Sequence, residues 1–257
     1  MLPADTLPVS ITRTKPPKPL LRAAGEAIAD YSMIRPGDRV LLGLSGGKDS
    51  LSLLHVLLHL HDKAPVRFDL AAATVDPCID GFDPSFLKDY VAALGVPYFY
   101  RRQDIVGRAL TTMRGDSFCA YCARMRRGIL YATAREQGYN VLALAHHLDD
   151  LAESFLMSAF YGGRLHTMKA HYLNDAGDLR IIRPFVYARE RQTVDFARRA
   201  GLPAIMDNCP ACFRMPTQRM NMKILLSEQE KNHKILFSSL LTAMRPLMKE
   251  NTGSGSV

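Results

Sequence analysis

From Pro36 onward, short unbroken apolar runs alternate with longer stretches whose apolar positions recur every three or four residues. The short runs predict strands over Arg39–Leu44, Phe68–Val75, Tyr98–Arg101, Val141–Ala145 and Leu179–Ile182, apolar on both faces as buried parallel strands are. The periodic stretches predict helices over Leu51–His61, Pro84–Leu94, Tyr121–Glu136, Leu151–Tyr161, Glu190–Ala200 and Thr217–Leu241. This alternation points to an α/β fold, a doubly wound and mostly parallel sheet with helices on both faces. Strand signals stop near Gly201-Leu202-Pro203, so a helical C-terminal extension is expected after the sheet. The expected organisation is a basic N-terminal arm and first helix over 1–35, with residues 1–20 a mobile arm. The α/β domain follows over 36–201, the extension over 202–250 and a disordered tail over 251–257.

One turn stands out in this pattern. Leu44-Ser45-Gly46-Gly47-Lys48-Asp49-Ser50-Leu51 joins the first strand to its helix. A glycine turn between a strand and a helix start aims backbone N–H groups and the positive end of the helix dipole at one point, an anion cradle. The spacing fits neither Gly-x-x-x-x-Gly-Lys-Ser/Thr nor Gly-x-Gly-x-x-Gly. A plain βα turn would need neither the Lys48-Asp49 pair nor the hydroxyls of Ser45 and Ser50. In doubly wound sheets ligands bind beyond the carboxyl ends of the strands. Leu44-Ser45, Asp76 and His146-His147 all fall at predicted strand ends, so three motifs converge on one rim. His146-His147-Leu148-Asp149-Asp150 closes a strand and opens a helix. Its carboxylates can cap that helix, or Asp150 can serve chemistry at the same rim.

Composition and charge add a partner. The 257 residues, 47% hydrophobic, suffice for a substantial core. No apolar run reaches the ~18 residues of a membrane span, and the N-terminus lacks the order of a secretory signal. No membrane association and a cytoplasmic location are therefore expected. The net charge is +8, and eight arginines between 101 and 135 face only Asp104 and Asp116. Arginine without interleaved glutamate makes few helix ion pairs and suits phosphate forks, which favours a polyanion over a solvated face. Arg183, Arg189 and Arg191 form a second basic group, expected at a substrate-facing surface.

The five cysteines are an odd number, which argues against a disulfide framework. Four make two Cys-x-x-Cys pairs, Cys119/Cys122 and Cys209/Cys212, separated by 86 residues. Metal ligation is the leading reading, beside a redox dithiol or buried small residues. Four thiolates would close a structural zinc site; three on a [4Fe–4S] cluster would leave one iron open. Cys78, at the end of the second strand, is either a buried small residue or a sulfur relay.

The ordered set of motifs is more specific than any one of them. Ser45-Gly46-Gly47-Lys48-Asp49-Ser50 is followed by Cys119-x-x-Cys122-x-Arg124-x-Arg126-Arg127-Gly128-x-Leu130-Tyr131, then His146-His147-x-Asp149-Asp150 and Phe160-Tyr161-Gly162-Gly163. Arg183-Pro184-x-x-Tyr187-x-Arg189-Glu190-Arg191 and the second cysteine pair complete it. The first motif resembles the signature of the PP-loop, or N-type ATP pyrophosphatase, superfamily. The whole set, from about Gly43 to Arg219, resembles the TtcA family, the tRNA 2-thiocytidine synthetases.

The resemblance implies an ATP-dependent enzyme that adenylates the C2 oxygen of an anticodon-loop cytidine and replaces it with sulfur. It implies ATP at Ser45, Gly46, Gly47, Lys48, Asp49 and Ser50, with Asp49 and Asp150 catalytic and Mg²⁺ required. It also implies a [4Fe–4S] cluster on Cys119, Cys122 and Cys209, with Cys209 preferred to Cys212. Arg124, Arg126 and Arg127 become candidate tRNA contacts, a sulfur donor system with a cysteine desulfurase a partner, and a homodimer a family-level expectation. Phe213-Arg214-Met215-Pro216 departs from the Gly-Ser-Gln expected after the second pair, as does Cys78. The competing reading is a PP-loop ligase, or a thiolase for another nucleoside, with the cysteines on structural zinc.

Overall fold

The computed structural model describes residues 11–79, 81–112, 118–205 and 217–249, apart from the side chains of Leu110 and Cys119. Six strands form one sheet: β1 (Asp38–Gly43), β2 (Phe68–Asp76), β3 (Tyr98–Arg102), β4 (Val141–Ala143), β5 (His171–Leu173) and β6 (Arg180–Ile182). Their spatial order is β3-β2-β1-β4-β6-β5. All neighbours pair in parallel except β5, which runs antiparallel to β6. The order reverses between β1 and β4, so the topological switch point lies between the first turn and the His-His turn.

Alternation along the strands sends side chains to two cores. Val40, Leu42, Ala72, Val141 and Ala143 join one cluster, under α1 (Lys18–Asp30), α2 (Lys48–Lys63), α3 (Phe86–Ala93), α6 (Leu148–Gly162) and α7 (Glu190–Arg199). Leu41, Ala71, Ala73, Leu142 and Ile181 join the other, under α4 (Ile105–Thr112) and α5 (Phe118–Glu136). Helices therefore cover both faces, as the apolar strands require. In α2 the whole run from Ser50 to Leu58 is buried, so the helix after the glycine turn is a central element. No helix among the described residues is long and apolar enough to cross a membrane.

Two expectations about the ends are corrected. Residues 11–20 are docked rather than a free arm. Arg13 reaches Asp62 at 3.0 Å and the Leu94 carbonyl at 3.0 Å, and α1 buries Leu20, Ala24 and Ala27 at helical spacing. The single long helix expected over Thr217–Leu241 is two, α8 (Gln218–Asn232) and α9 (Leu236–Met248). His233 leaves helical geometry at φ −130° and ψ 86°. The turn lets Phe237, Met244 and Met248 join the same core as the sheet. The first helix expected within 1–35 is α1, and the structure adds α4 and β5, which the apolar pattern does not mark.

Candidate functional site

The glycine turn sits where the pattern placed it. Leu44 continues β1 by donating its N–H to Ala73 at 2.8 Å. Gly46 then takes φ +83°, in the left-handed region where a side chain is strained. Its missing Cβ is also occupied space: an added methyl carbon would lie 2.4 Å from Ile205 Cδ1. Ser50 Oγ donates to the Gly47 carbonyl at 2.9 Å, so the 3.1 Å contact between Ser45 and Ser50 has Ser45 as donor. Ser45 Oγ in turn accepts from Gly47 N–H at 3.3 Å. Both hydroxyls thus shape the turn at the start of α2.

Lys48 and Asp49 are held from outside the turn. Lys48 Nζ lies 2.8 Å from Asp49 Oδ2 and 3.1 Å from Glu190 Oε1. Glu190 is shared, because Lys223 Nζ of α8 meets its other oxygen at 2.7 Å. Thr193 donates its hydroxyl to Asp49 Oδ1. Burial alone would raise the Glu190 carboxyl, but the two lysines outweigh it and hold the group at about 2. Burial likewise works against the Lys48 charge; Asp49 and Glu190 overcome it and lift its pKa above the ordinary lysine value.

The His-His turn ends β4 next door, across the switch point. His147 Nδ1 accepts from Asp150 N–H at 3.3 Å, and Asp150 Oδ2 accepts from His147 N–H at 2.9 Å, a complete reciprocal cap on α6. Asp150 therefore has the structural duty its position allowed. Its second oxygen takes Arg219 at 2.9 Å, and Arg219 Nε meets the buried Glu153 at 2.7 Å. Asp149 is forked by Arg189 at 3.0 Å and also accepts from Glu190 N–H at 2.7 Å. His147 Nε2 approaches Asp49 Oδ2 at 3.9 Å, so the two turns meet. Burial first, then the nearby Arg183 and Arg219, holds His146 well below the ordinary imidazole value.

The second basic group is not a surface. Arg183 is only 4% exposed, and its guanidinium lies over the Tyr172 ring at 5.3 Å. Arg189 joins Asp149 to Glu230 and covers the Phe237 ring. Arg191 alone of the three has a well-exposed side chain. The correction is physical: Arg189 at a helix start finds the carboxylates of α6 and α8, and pairing makes its partial burial tolerable.

Helix α5 crosses the opposite face. Its middle touches the end of β1, since a carbon added to Gly43 would meet Leu130 Cδ1 at 3.2 Å, and its last turn leads into β4. Its first turns, with Cys119 and Cys122, therefore rise at the carboxyl rim. Cys122 is buried, 8% exposed, in the second core cluster. Arg124 and Arg127 are exposed, while Arg126 is half-buried with its guanidinium 5.9 Å from the Phe82 ring. Cys78 has φ +59° and is partly exposed beside this rim. Cys209 and Cys212 lie outside the described residues. The chain on both sides of them is anchored at the rim. Ile205 donates its N–H to Gly46 O at 2.9 Å, and Thr217 caps α8 by accepting from Met220 N–H at 3.2 Å.

A glycine-rich cradle at a switch point, with an acid-rich turn beside it, defines a nucleotide-binding α/β protein, and residues 20–226 match the PP-loop domain. The tRNA-cytidine(32) 2-sulfurtransferase of Geobacter sulfurreducens is 40% identical over 228 residues, 88% of this chain and 89% of its own. The one from Pelobacter propionicus is 42% identical over 227 residues, covering 88% and 84%. The chain therefore belongs to the PP-loop family and, within it, to the family of these sulfurtransferases. The U34-tRNA thiolase NcsA from Methanococcus maripaludis, solved with its [4Fe-4S] cluster, superposes with a TM-score of 0.72. It covers 92% of this chain and 80% of its own at 22% identity, a likeness of fold.

Proposed function

We propose that the protein is an ATP-dependent tRNA sulfurtransferase acting on C2 of a cytidine. The observation that carries this reading is the meeting, on one rim, of the PP-loop, the His-His-x-Asp-Asp turn and the arginine-rich Cys-x-x-Cys helix. A pyrimidine C2 carbonyl is a poor electrophile with a poor leaving group. Attack of its oxygen on the α-phosphorus of ATP releases pyrophosphate; sulfur then adds at C2 and AMP departs with the oxygen.

In this reading Ser45, Gly46, Gly47 and Ser50 cradle the phosphates through backbone N–H groups and hydroxyls. Lys48 supplies a cation to them, and Asp49 a carboxylate for Mg²⁺. Asp150, through its cap, fixes the turn that faces Asp49 and also offers a carboxylate to the metal. Arg124, Arg126 and Arg127 hold the tRNA backbone. The kinship to tRNA-cytidine(32) 2-sulfurtransferases, taken with the cysteine pattern, favours thiolation over a ligase with structural zinc.

The residues present suit an iron–sulfur group. Cys119 and Cys122 are one turn apart on α5 at the rim, and the interval that carries Cys209 starts from a residue bonded to Gly46. Three thiolates from Cys119, Cys122 and Cys209 match such a group. When bound, a [4Fe–4S] cluster with an open iron supplies a site for the incoming sulfur atom. A sulfur donor system, with a cysteine desulfurase as its source, and a homodimer belong to the same proposal, as does a cytoplasmic location.

The test is tRNA-dependent pyrophosphate release together with detection of 2-thiocytidine in the digested tRNA. Asp49→Ala should abolish both while tRNA affinity stays within about twofold; full activity in that variant rejects the nucleotide assignment. Anaerobically purified protein should carry iron and sulfide, lost in Cys119→Ala; equal iron in both removes the cluster from the reading.

A further inference from the structure

Beside the rim, on the α3 face of the sheet, lies a groove of about 780 Å³ that none of the roles above uses. β3 is the edge strand, and Tyr98, Tyr100 and Arg102 alternate onto one of its faces. Tyr98, Tyr100 and Phe82 line the groove together with the polar side chains of Asp76, Asp83, Ser85 and Lys88. Tyr100 is 44% exposed. Its hydroxyl donates to Asp76, which fixes the ring at the wall.

We infer that this groove takes an unpaired nucleobase of the RNA substrate, one that neighbours the cytidine under modification. The inference rests on the tRNA reading above. Flat aromatic walls with a few polar groups suit a splayed base, which stacks on its faces and hydrogen-bonds at its edges. The cations fit the backbone that comes with it: Lys88 lines the groove, Arg102 has a largely exposed side chain although its Nε lies 3.9 Å from Asp76, and Arg126 reaches over Phe82. Through Arg126 the groove is continuous with the arginine-rich helix. At the ~4.8 Å spacing of strands, β3 stands about 10 Å from β1, so a base here is beside the cradle and not in it.

The adenine of ATP and a second copy of the chain are the other occupants such a surface could take, and the experiment separates them. A hairpin RNA with an unpaired cytidine in its loop is titrated against the full-length protein, with each loop base in turn replaced by an abasic nucleotide. One abasic position should weaken binding to wild type about 5- to 100-fold, as loss of one stacked base does. Tyr100→Ala and Phe82→Ala should weaken binding of the intact hairpin similarly, and the abasic change should then cost nothing more. Tyr100→Phe, which keeps the ring but not its bond to Asp76, should lose far less affinity than Tyr100→Ala, and unchanged thermal unfolding of the alanine variants shows that the fold is unharmed. Additive losses at every position, or wild-type affinity in both alanine variants, would overturn the assignment. So would weakened ATP binding or a changed oligomeric state with RNA affinity intact. If wild type fails to bind the hairpin at all, the tRNA reading itself falls, and this inference with it.

Discussion

Glu190 shows how much of this site is made by a residue away from its signature motif. It sits between Lys48 and Lys223 and, through Lys48, sets where the PP-loop ammonium points. Glu190→Gln leaves two lysines facing one amide and frees Lys48 to swing. Pyrophosphate release should fall about 10- to 100-fold, the scale of a misplaced group, with tRNA affinity unchanged in a binding titration. His55 makes a second residue-level case. Its Nδ1 accepts from Thr14 N–H at 3.2 Å, so the ring carries its proton on Nε2, 2.7 Å from the Tyr90 hydroxyl. Burial lowers its pKa to about 4. The unfolded chain then binds a proton that the folded one does not between about pH 6.5 and 4, so stability falls as pH falls through that window. The loss should reach about 3 kcal/mol by pH 4 in urea unfolding, and His55→Asn should remove that part of the slope.

At the scale of elements, α8 is fastened to the nucleotide site by ions. Arg219 meets Asp150 and Glu153, Lys223 meets Glu190, and Glu230 meets Arg189. Burial pushes the Glu153 carboxyl up even with Arg219 beside it. Arg219→Met leaves that buried group without its cation, which should cost about 1–3 kcal/mol. Because a carboxyl with a raised pKa binds its proton more readily in the folded state, the loss should be larger at pH 8 than at pH 5. Thermal unfolding at the two pH values checks the sign. These pairings explain what was legible beforehand. The PP-loop and the His-His turn are contiguous, so their residue types and neighbouring strands sufficed. Thr193 and Asp49 are 144 positions apart, and no local spacing announces such a pair. Helix α1 was expected within 1–35 but without bounds, because Pro17 and Pro19 punctuate a chain yet are tolerated at a helix start. β5 is an edge strand, and His171-Tyr172-Leu173 is only partly buried, so it carries no unbroken apolar run like those of β4 and β6.

Over the whole molecule, both cores and both motif turns serve one edge of one sheet. Alternation of apolar runs fixed the class of fold because parallel strands must be covered on both faces. The docking of α8 and α9 depended on a bend at His233 that composition does not signal. The excess positive charge is a property at this scale too. Hairpin-RNA affinity should fall with salt along a slope of about −0.7 per contacted phosphate. Arg127→Gln should make that slope shallower by about one contact while ATP affinity holds.

The hydrogen bond from Ile205 to Gly46 turns the next few residues into a ruler. Cys209 comes four positions after that fixed point, so covalent length sets an upper limit on its distance from the glycine turn. One glycine inserted after Ile205 lengthens the ruler without touching the cradle. If Cys209 is an iron ligand as proposed, such a protein should bind ATP as before and hold less iron, a separation that equilibrium dialysis and metal analysis of the same preparation would read directly.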